Sequence, residues 1–581
     1  MAALLCGVVA AAALRAAPPR SIELLPGQAK TSAWPHYLFL FRGALGDFRL
    51  DEVRAVADAV GVDASRLHFE PAGPVPTGAT DQPRFSSPSG GDVGPDLLQW
   101  VSLPNADAAA LVAARCSLVR CAFDVWAGAH FERSTSPMAR REALDEAGAR
   151  WQLLADAVQA EGLDDDRQAM LSPLGDGSWR VDIYSIGWTK PRALPAKIAL
   201  METLDSLLWG LPGDVDLHDP RHVVAMVEDC RGAEAFSVVG DASTELVGST
   251  DDEQRAARGE ISEADADGEI EDLHAFGEGG GVGGGGGVGA CPPCRAFLGQ
   301  QLSVGDASHL AKFALTDRPY LGRTTLPPAL AMLMANQARV VGGSLVLDPY
   351  CGTASTLLSC AARGARVVGV EIDERVLRGG KDGEGIRHNF EHAGLPPPEL
   401  LLHGDAENLD ELLEGAAAAN VAGDAATADA SGGAYDRFDA IVTDPPYGLM
   451  EGLGALYRPL RERLSSLLCL AARRLRVGGR LVFLLPLPAS APSLSALPLS
   501  ELPPLTRCLE LESTSRQRVS LRMHRLMVTM RKVAEPAEPT DGAGADASMT
   551  SRPSPAIPRR SADGGGAAPW EDWWNEKNGG V

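Results

Sequence analysis

The alternation of apolar and polar positions predicts a first folded region over residues 34–228. Short apolar runs such as residues 37–41 are typical of buried strands, and the alternating pattern of residues 179–186 is typical of a strand with one exposed face. Apolar residues at helical spacing over residues 47–60 predict a helix after the first run. Residues 97–126 follow the order strand, helix, strand. This mixture predicts an α+β domain.

A second folded region, residues 296–532, alternates strands with helices. The predicted strands are 345–348, 366–371, 399–403, 438–442 and 480–485. The predicted helices are 353–363, 374–392 and 458–475. Strands that alternate with helices are joined by right-handed crossovers into a parallel sheet with both faces covered. We therefore expect an α/β fold in which this domain is Rossmann-like, has a mostly parallel central sheet and binds ligands beyond the carboxyl ends of its strands.

The composition of residues 229–295 predicts a flexible linker between the two regions. Thirteen acidic residues face only two arginines over residues 241–278, and glycine fills most of residues 279–289. Such a stretch buries too little apolar area to offset the entropy of ordering. It also accounts for nearly half of the formal net charge of −24, so the acidic balance does not exclude a nucleic-acid partner for the folded regions.

The two ends of the chain have compositions that do not predict packed domains. Residues 1–33 form an N-terminal extension, and residues 533–581 form a disordered tail. Three tryptophans interrupt the tail, and we expect them to fold back or bind a partner: Trp570, Trp573 and Trp574. No run of eighteen apolar residues is present, and ten cysteines are too few for a disulfide framework in 581 residues. We expect a cytoplasmic protein with no membrane association; organelle targeting by residues 1–20 stays open.

Polar residues at the ends of three predicted strands indicate a cofactor site. The first strand runs into a tight turn and a helix, where a carboxylate and free helical N–H groups suit the amino-acid end of a ligand. From this turn we expect cofactor contacts by Asp348, Tyr350, Gly352 and Thr353. Glu371 ends the next strand, where an acid reaches ribose hydroxyls, and Asp405 follows the third, where an acid can accept from an adenine amino group. Asp373 is instead expected to cap a helix. Because the turn has neither the lysine of a P-loop nor a GxGxxG motif, this combination predicts S-adenosylmethionine.

The motif Asp444-Pro445-Pro446-Tyr447 follows the fourth predicted strand. Proline cannot donate to a sheet, so both prolines must end the strand and stiffen the loop. The Asp444 carboxylate and the Pro445 carbonyl can accept the two hydrogens of an amine, while Tyr447 stacks on the ring that bears it. We expect all four residues to be catalytic, with direct methyl transfer to the amine. An ordinary strand-ending turn is the alternative for the motif taken alone.

Together with residues 318–326 and 330–337, these motifs resemble the class I amino-methyltransferases of tRNA. More closely, the chain resembles the eukaryotic catalytic subunits that form N2-methylguanosine at position 10 of tRNA. The resemblance covers residues 34–228 and 296–532. It implies a THUMP-type RNA-binding domain in the first region, tRNA as substrate, and a heterodimer with a small zinc-containing activator subunit. On matching positions it implies cofactor roles for Asp348, Gly352, Glu371 and Asp405 and catalytic roles for Asp444, Pro445, Pro446 and Tyr447.

One position departs from the family pattern, because Ala354 stands where a second glycine is usual. Its methyl group would crowd the methionine end of the cofactor, or be harmless if the residue is already helical. Two rivals stay open: a DPPY enzyme acting on N6 of adenine or N4 of cytosine, and a non-catalytic RNA-binding scaffold. A protein glutamine methyltransferase is disfavoured, because that group resembles NPPY and residue 444 is Asp. Cys291 and Cys294 form a CxxC pair with no second pair nearby, so we expect no metal site.

Overall fold

The structure is a computed structural model that describes part of the chain. The described residues are 22–23, 34–43, 45–72, 97–131, 140–160, 174, 177–186, 194–208, 213–229, 295–322, 325–379, 385–422, 435–446, 460–488, 507–519 and 523–536. Several predictions concern residues outside these ranges: residues 1–20, the acidic and glycine-rich stretches of 241–289, Cys291, Cys294, Tyr447, Trp570, Trp573 and Trp574.

Among the described residues, eight strands form the first sheet. They are β1 (Ile22–Glu23), β2 (His36–Phe41), β3 (Phe69–Pro71), β4 (Leu98–Ser102), β5 (Val119–His130), β6 (Trp179–Ile186), β7 (His222–Asp229) and β8 (Arg295–Val304). Their order is β3-β4-β2-β5-β8-β7-β6, and β1 pairs with β5. The helices of this unit are α1 (Arg49–Ala59), α2 (Ala106–Arg115), α3 (Arg140–Ala160), α4 (Leu194–Glu202) and α5 (Asp205–Leu208).

The part of the chain from β2 to β5 is a ferredoxin-like unit with the element order β2-α1-β3-β4-α2-β5. The apolar run of β2 is buried at five of its six positions, as the sequence predicts for a central strand. Helix α2 begins after Asn105, whose Oδ1 accepts a hydrogen bond from the Ala108 N–H at 2.8 Å. The α+β prediction for this region is therefore confirmed.

The segment 229–295 is not a linker between two domains, so that prediction is corrected. Strands β7 and β8 flank it and are antiparallel neighbours, with Asp229 opposite Arg295. The Arg295 guanidinium is buried, forms an ion pair with the Asp229 carboxylate and donates from Nη1 to the Ala72 carbonyl at 2.8 Å. Residues 230–294 are therefore an insertion between paired strands. The composition of the insertion indicates that it lacks a hydrophobic core of its own. Composition does not show that the strand after it, β8, pairs with the first sheet.

The domain boundary predicted at residue 296 is also wrong, because the strand that contains this residue pairs with the first sheet. Residue 296 lies inside β8, which pairs with β5 and β7 of the first sheet. The chain therefore crosses to the second sheet only after Val304.

In the part of the chain that the structure describes, seven strands form the second sheet. They are β9 (Leu345–Asp348), β10 (Arg366–Glu371), β11 (Leu400–His403), β12 (Phe438–Thr443), β13 (Leu475–Pro488), β14 (Leu509–Arg518) and β15 (Met523–Lys532). The helices of this unit are α6 (Ser308–Lys312), α7 (Pro328–Gln337), α8 (Ser355–Ala362), α9 (Glu374–Arg378), α10 (Ile386–His392), α11 (Leu409–Ala422) and α12 (Leu460–Arg474). The strand order is β11-β10-β9-β12-β13-β15-β14.

The second sheet confirms the Rossmann-like prediction. Strands β9 to β13 pair in parallel, and β15 pairs antiparallel with both β13 and β14. The strand order reverses between β9 and β12, which creates the switch point where ligands bind in such sheets. The single helix predicted over residues 374–392 is wrong, because α9 ends at Arg378 and Gly379 follows it. That glycine has a φ of +86°, outside the range of a right-handed helix.

The two units share one hydrophobic core and a polar contact. Side chains of α1 pack against α7 across the boundary between the sheets. The buried Glu52 carboxylate of α1 accepts from Asn336 Nδ2 of α7 at 2.8 Å and from the N–H groups of Ser117 and Leu118 at 2.7 and 2.8 Å. Burial raises the pKa of Glu52, and these hydrogen bonds act in the opposite direction. The units are therefore packed together.

Candidate active site at the carboxyl edge of the second sheet

The strand ends singled out in the sequence meet at one edge of the second sheet. Glu371 at the end of β10 lies opposite His403 at the end of β11, and Asp348 at the end of β9 lies opposite Gly369. Strand β12 runs parallel to β9, so Asp444 follows its carboxyl end at the same edge. The structure therefore brings the predicted cofactor residues and the first residues of the DPPY motif to one side of the sheet.

Asp348 is the buried centre of this edge. Its side chain accepts hydrogen bonds from Thr356 Oγ1, from Thr443 Oγ1 at 2.6 Å and from the Tyr350 N–H at 3.0 Å. Burial raises the pKa of Asp348 to about 6; the hydrogen bonds act against this rise, and the charge of Asp444 adds to it. The carboxylate thus joins the turn after β9, helix α8 and the end of β12. Direct contact of Asp348 with a cofactor stays a prediction.

Glu371 holds the turn after β9 from the neighbouring strand. Its Oε2 accepts from the Gly352 N–H at 3.0 Å, and its Oε1 accepts from the Asp373 N–H at 2.8 Å. Gly352 has a φ of +50°, and a Cβ at this position would meet no heavy atom within 4 Å. The backbone of the turn therefore borders open space beside the half-buried Glu371 carboxylate, as a ligand lying against it requires.

The remaining residues of the turn are closely packed. Thr353 is buried, and its Oγ1 lies 3.3 Å from Thr325 Oγ1. The half-buried Tyr350 packs against the core beneath the second sheet.

Ala354 is not helical, although it directly precedes α8. Its φ of 66° and ψ of 33° are left-handed, a conformation that costs alanine about 1–2 kcal/mol and glycine much less. Its methyl group is fully buried in the hydrophobic core. Alanine in place of the family's glycine therefore raises the conformational energy of the backbone in this turn.

Two further acids at this edge cap short helices. Asp373 accepts from the Arg375 N–H at 3.0 Å and begins α9, which confirms the predicted cap. Asp405 accepts from the Glu407 N–H at 3.0 Å and begins the 3-10 turn Ala406–Asn408. The cofactor role of Asp405 stays a prediction beside this capping role.

The first three residues of the DPPY motif form an extended loop after β12. The strand ends at Thr443, as the two prolines require. Pro445 is buried, whereas Asp444 and Pro446 are half-buried, and Arg463 of α12 donates to the Pro446 carbonyl. The loop is therefore held by both β12 and α12. Tyr447 lies outside the described residues, and the catalytic roles of all four residues stay predictions.

A group of cations at this edge has no counterpart in the sequence predictions. Thr443 is level with Val528 across β13, so the first residues of β15 and the last of β14 extend beyond the end of β12. The cations in these extensions are Arg516, Arg518 and Arg525, and the imidazole of His524 lies among them. Burial lowers the pKa of His524, and the charges of Arg516 and Arg518 lower it further. Positive charge is therefore concentrated beside the candidate site of an acidic chain.

Within the ranges given above, no group of three or more His, Cys, Asp or Glu side chains is placed to hold a metal ion. Of the helices assigned above, none is both long and apolar enough to cross a membrane.

Comparison with known proteins identifies the second unit. Residues 316–488 match the family model described as UPF0020, RMKL-like, methyltransferase domain. These residues form a methyltransferase domain. They include β9 to β13 and all four strand ends that the sequence singles out. The predicted class I methyltransferase fold is therefore confirmed.

Curated relatives confirm the predicted resemblance. The tRNA (guanine(10)-N(2))-methyltransferase TRMT11 of Dictyostelium discoideum is 31% identical over 271 residues, which cover 42% of this chain and 47% of that protein. The Homo sapiens protein of the same name is 29% identical over 278 residues, which cover 42% of this chain and 54% of that protein. The chain thus spans about half the length of the curated relatives it matches. The solved structure of TrmN from Thermus thermophilus aligns with 86% of this chain and 100% of its own, at 18% identity and a TM-score of 0.33.

Proposed function

We propose that this protein transfers a methyl group from S-adenosylmethionine to N2 of guanosine 10 in tRNA. The observation that carries the proposal is the position of Asp444 and Pro445 at the carboxyl edge of a methyltransferase domain whose curated relatives are named for this reaction. The motif supplies the hydrogen-bond acceptors that an exocyclic amine requires.

The cofactor fits the turn after β9 and its two neighbouring strand ends. The open space at Gly352 and the N-terminus of α8 suit the amino-acid end, with Tyr350 and Thr353 in the same turn. Glu371 suits the ribose hydroxyls, and Asp405 suits the adenine amino group. S-adenosylmethionine supplies an electrophilic methyl group bound to a positively charged sulfur.

The DPPY motif positions the acceptor amine. The Asp444 carboxylate and the Pro445 carbonyl would accept the two hydrogens of guanine N2, which would leave the nitrogen lone pair free to attack an electrophile. Tyr447 stacks on the guanine, which must leave the RNA stack to enter the site. The cofactor held beside the turn after β9 would supply the methyl group, and the Asp444 carboxylate or water would take the proton that the methylated nitrogen releases. No covalent enzyme intermediate is needed.

The tRNA lies against the cations on β14 and β15 and against the first unit. Arg516, Arg518 and Arg525 can bind backbone phosphates beside the active-site edge. The first unit acts as the THUMP-type RNA-binding domain, and its packing through Glu52 and Asn336 holds it at a set distance from Asp444. A set distance between an RNA-binding surface and a catalytic site selects one nucleotide position.

The protein acts in the cytoplasm as a heterodimer with a small zinc-containing activator subunit. This part of the proposal is supported by the resemblance to the eukaryotic catalytic subunits. Copurification of the two chains after coexpression tests it, and separate elution of folded chains would contradict it.

The catalytic role is tested by Asp444→Ala, assayed with activator, tRNA and labelled cofactor. We expect methylation to be lost while calorimetry shows nearly unchanged cofactor affinity. Glu510→Ala is the matched control, because it removes an exposed carboxylate from β14 near the opposite edge of the same sheet. Near-normal turnover by Asp444→Ala would refute the role of this carboxylate.

The same reaction separates the rival functions. Mass spectrometry of the nucleosides would show N2-methylguanosine for the proposed enzyme and N6-methyladenosine or N4-methylcytidine for the other DPPY activities. A scaffold that has lost catalysis would yield no methylated nucleoside, and absence of cofactor binding would support that alternative.

A further inference from the structure

Arg318 is a buried cation beside the turn that follows β9. It is 8% exposed, and its Nη1 donates to Ser355 Oγ at 2.9 Å. Its Nε is buried without a hydrogen-bond acceptor, and the described residues provide no carboxylate that pairs with the guanidinium. Burial lowers the pKa of Arg318 to about 10, which leaves the side chain charged at neutral pH. A buried and unpaired charge is costly unless another group offsets it.

The location of Arg318 adds to this cost. Ser355 is the first residue of α8, a helix of eight residues, and the N-terminus of a helix has a partial positive charge. A guanidinium at a helix N-terminus is therefore repelled, whereas an anion is attracted by both groups. A bound anion would offset the positive charge of the Arg318 guanidinium and of the helix N-terminus.

The segment containing Arg318 is fixed over the cofactor turn. Thr325 Oγ1 lies 3.3 Å from Thr353 Oγ1 and accepts from the Gly322 N–H at 3.0 Å. The open space beside Gly352 belongs to the same turn. An anion bound by Arg318 would therefore lie at the amino-acid end of a ligand in that space.

We propose that Arg318 and the N-terminus of α8 form the subsite for the carboxylate of the methionine moiety of S-adenosylmethionine. This inference rests on the proposed function, because it requires that cofactor. The Asp348 carboxyl group, which accepts from the Tyr350 N–H of the same turn, complements the ammonium group of the same moiety. The subsite thus separates the two charges of an amino acid and selects ligands that have both.

A comparison of two ligands isolates the carboxylate. S-adenosylmethionine and its decarboxylated form share the sulfonium, the ammonium and the nucleoside, and differ only in that group. We expect the wild-type protein to bind S-adenosylmethionine about 10- to 100-fold more tightly, the range for a charge-assisted hydrogen bond. Titration calorimetry of the full chain measures both affinities.

The variant Arg318→Gln identifies the residue responsible. We expect it to bind S-adenosylmethionine about 10- to 100-fold more weakly, to bind the decarboxylated ligand as the wild type does, and so to lose the preference between them. A merely structural role would weaken both ligands equally and preserve the preference, which would overturn the inference. Arg318→Met repeats the test with an apolar side chain of similar length if circular dichroism shows that the glutamine variant does not fold.

The outcomes distinguish this inference from the proposed function. Equal binding of the two ligands by the wild-type protein would overturn the subsite and leave the methyltransferase proposal intact. Failure of the wild-type protein to bind either ligand would refute both.

Discussion

Replacement of Asp348 by asparagine tests the electrostatics of the cofactor turn. Asparagine has the same shape, and its Oδ1 can accept from the Tyr350 N–H and the Thr443 hydroxyl, as one carboxylate oxygen does now. Its Nδ2 can donate to the hydroxyl of Thr356, which donates to the other oxygen in the wild type. The substitution therefore keeps three hydrogen bonds and removes the titratable group.

The expected effect follows from the pKa of the buried carboxyl group. Burial raises the pKa of Asp348 to about 6 from the ordinary aspartate value of 3.8 that holds in the unfolded chain, so folding favours the protonated form. The resulting stabilisation of the folded protein is fully present below the pKa of the unfolded chain. It is lost as the pH rises through the pKa of the folded protein. Between about pH 5 and pH 8 the wild-type protein loses about 1.4 kcal/mol of unfolding free energy that Asp348→Asn does not lose.

Urea unfolding followed by circular dichroism over this pH range measures the difference. The unfolding free energy of Asp348→Asn minus that of the wild-type protein should be larger at pH 8 than at pH 5 by about 1.4 kcal/mol. Glu510→Gln is the control, because its exposed carboxylate should leave the pH profile parallel to that of the wild type. Parallel profiles for Asp348→Asn and the wild type would refute the raised pKa.

Three further predictions concern the packing of the units and the RNA surface. Replacement of residues 230–294 by a turn of about four residues should preserve the circular dichroism spectrum and methylation, because β7 and β8 are already paired; a misfolded product would contradict the hairpin. Glu52→Ala should lower the free energy of unfolding by about 3 kcal/mol, because three donors lose their acceptor, and urea unfolding within 1 kcal/mol of wild type would contradict this. The double variant Arg516→Glu and Arg518→Glu should weaken tRNA binding about tenfold or more in filter assays while calorimetry shows unchanged cofactor affinity; wild-type tRNA affinity would contradict the proposed surface.

The parts of the fold set by local pattern are the parts that the sequence predicts well. The apolar run of β9 and the alternation of β6 give the strand limits directly, since each depends on residues adjacent in the chain. The carboxyl ends of β9, β10, β11 and β12 also locate the candidate site, because parallel strands place these ends at one edge.

The missed features depend on contacts between distant residues. Strand β8 follows a long insertion, and only its pairing with β5 and β7 shows that it belongs to the first sheet. The cations of β14 and β15 are close together in the sequence, but only the pairing of β15 with β13 and β14 shows that they lie beside the candidate site. Arg318 is one arginine among many in the sequence, and its burial without a carboxylate is visible only in the fold.

The central claim is tested most directly by mapping the nucleotide that the enzyme modifies. The full chain, copurified with its activator, is incubated with unmodified tRNA and S-adenosylmethionine, and the digested RNA is sequenced by mass spectrometry. The account predicts N2-methylguanosine at position 10, and Asp444→Ala should abolish it. A methyl group on adenine or cytosine, on guanosine at another position, or no methyl group despite measurable cofactor binding would contradict the account.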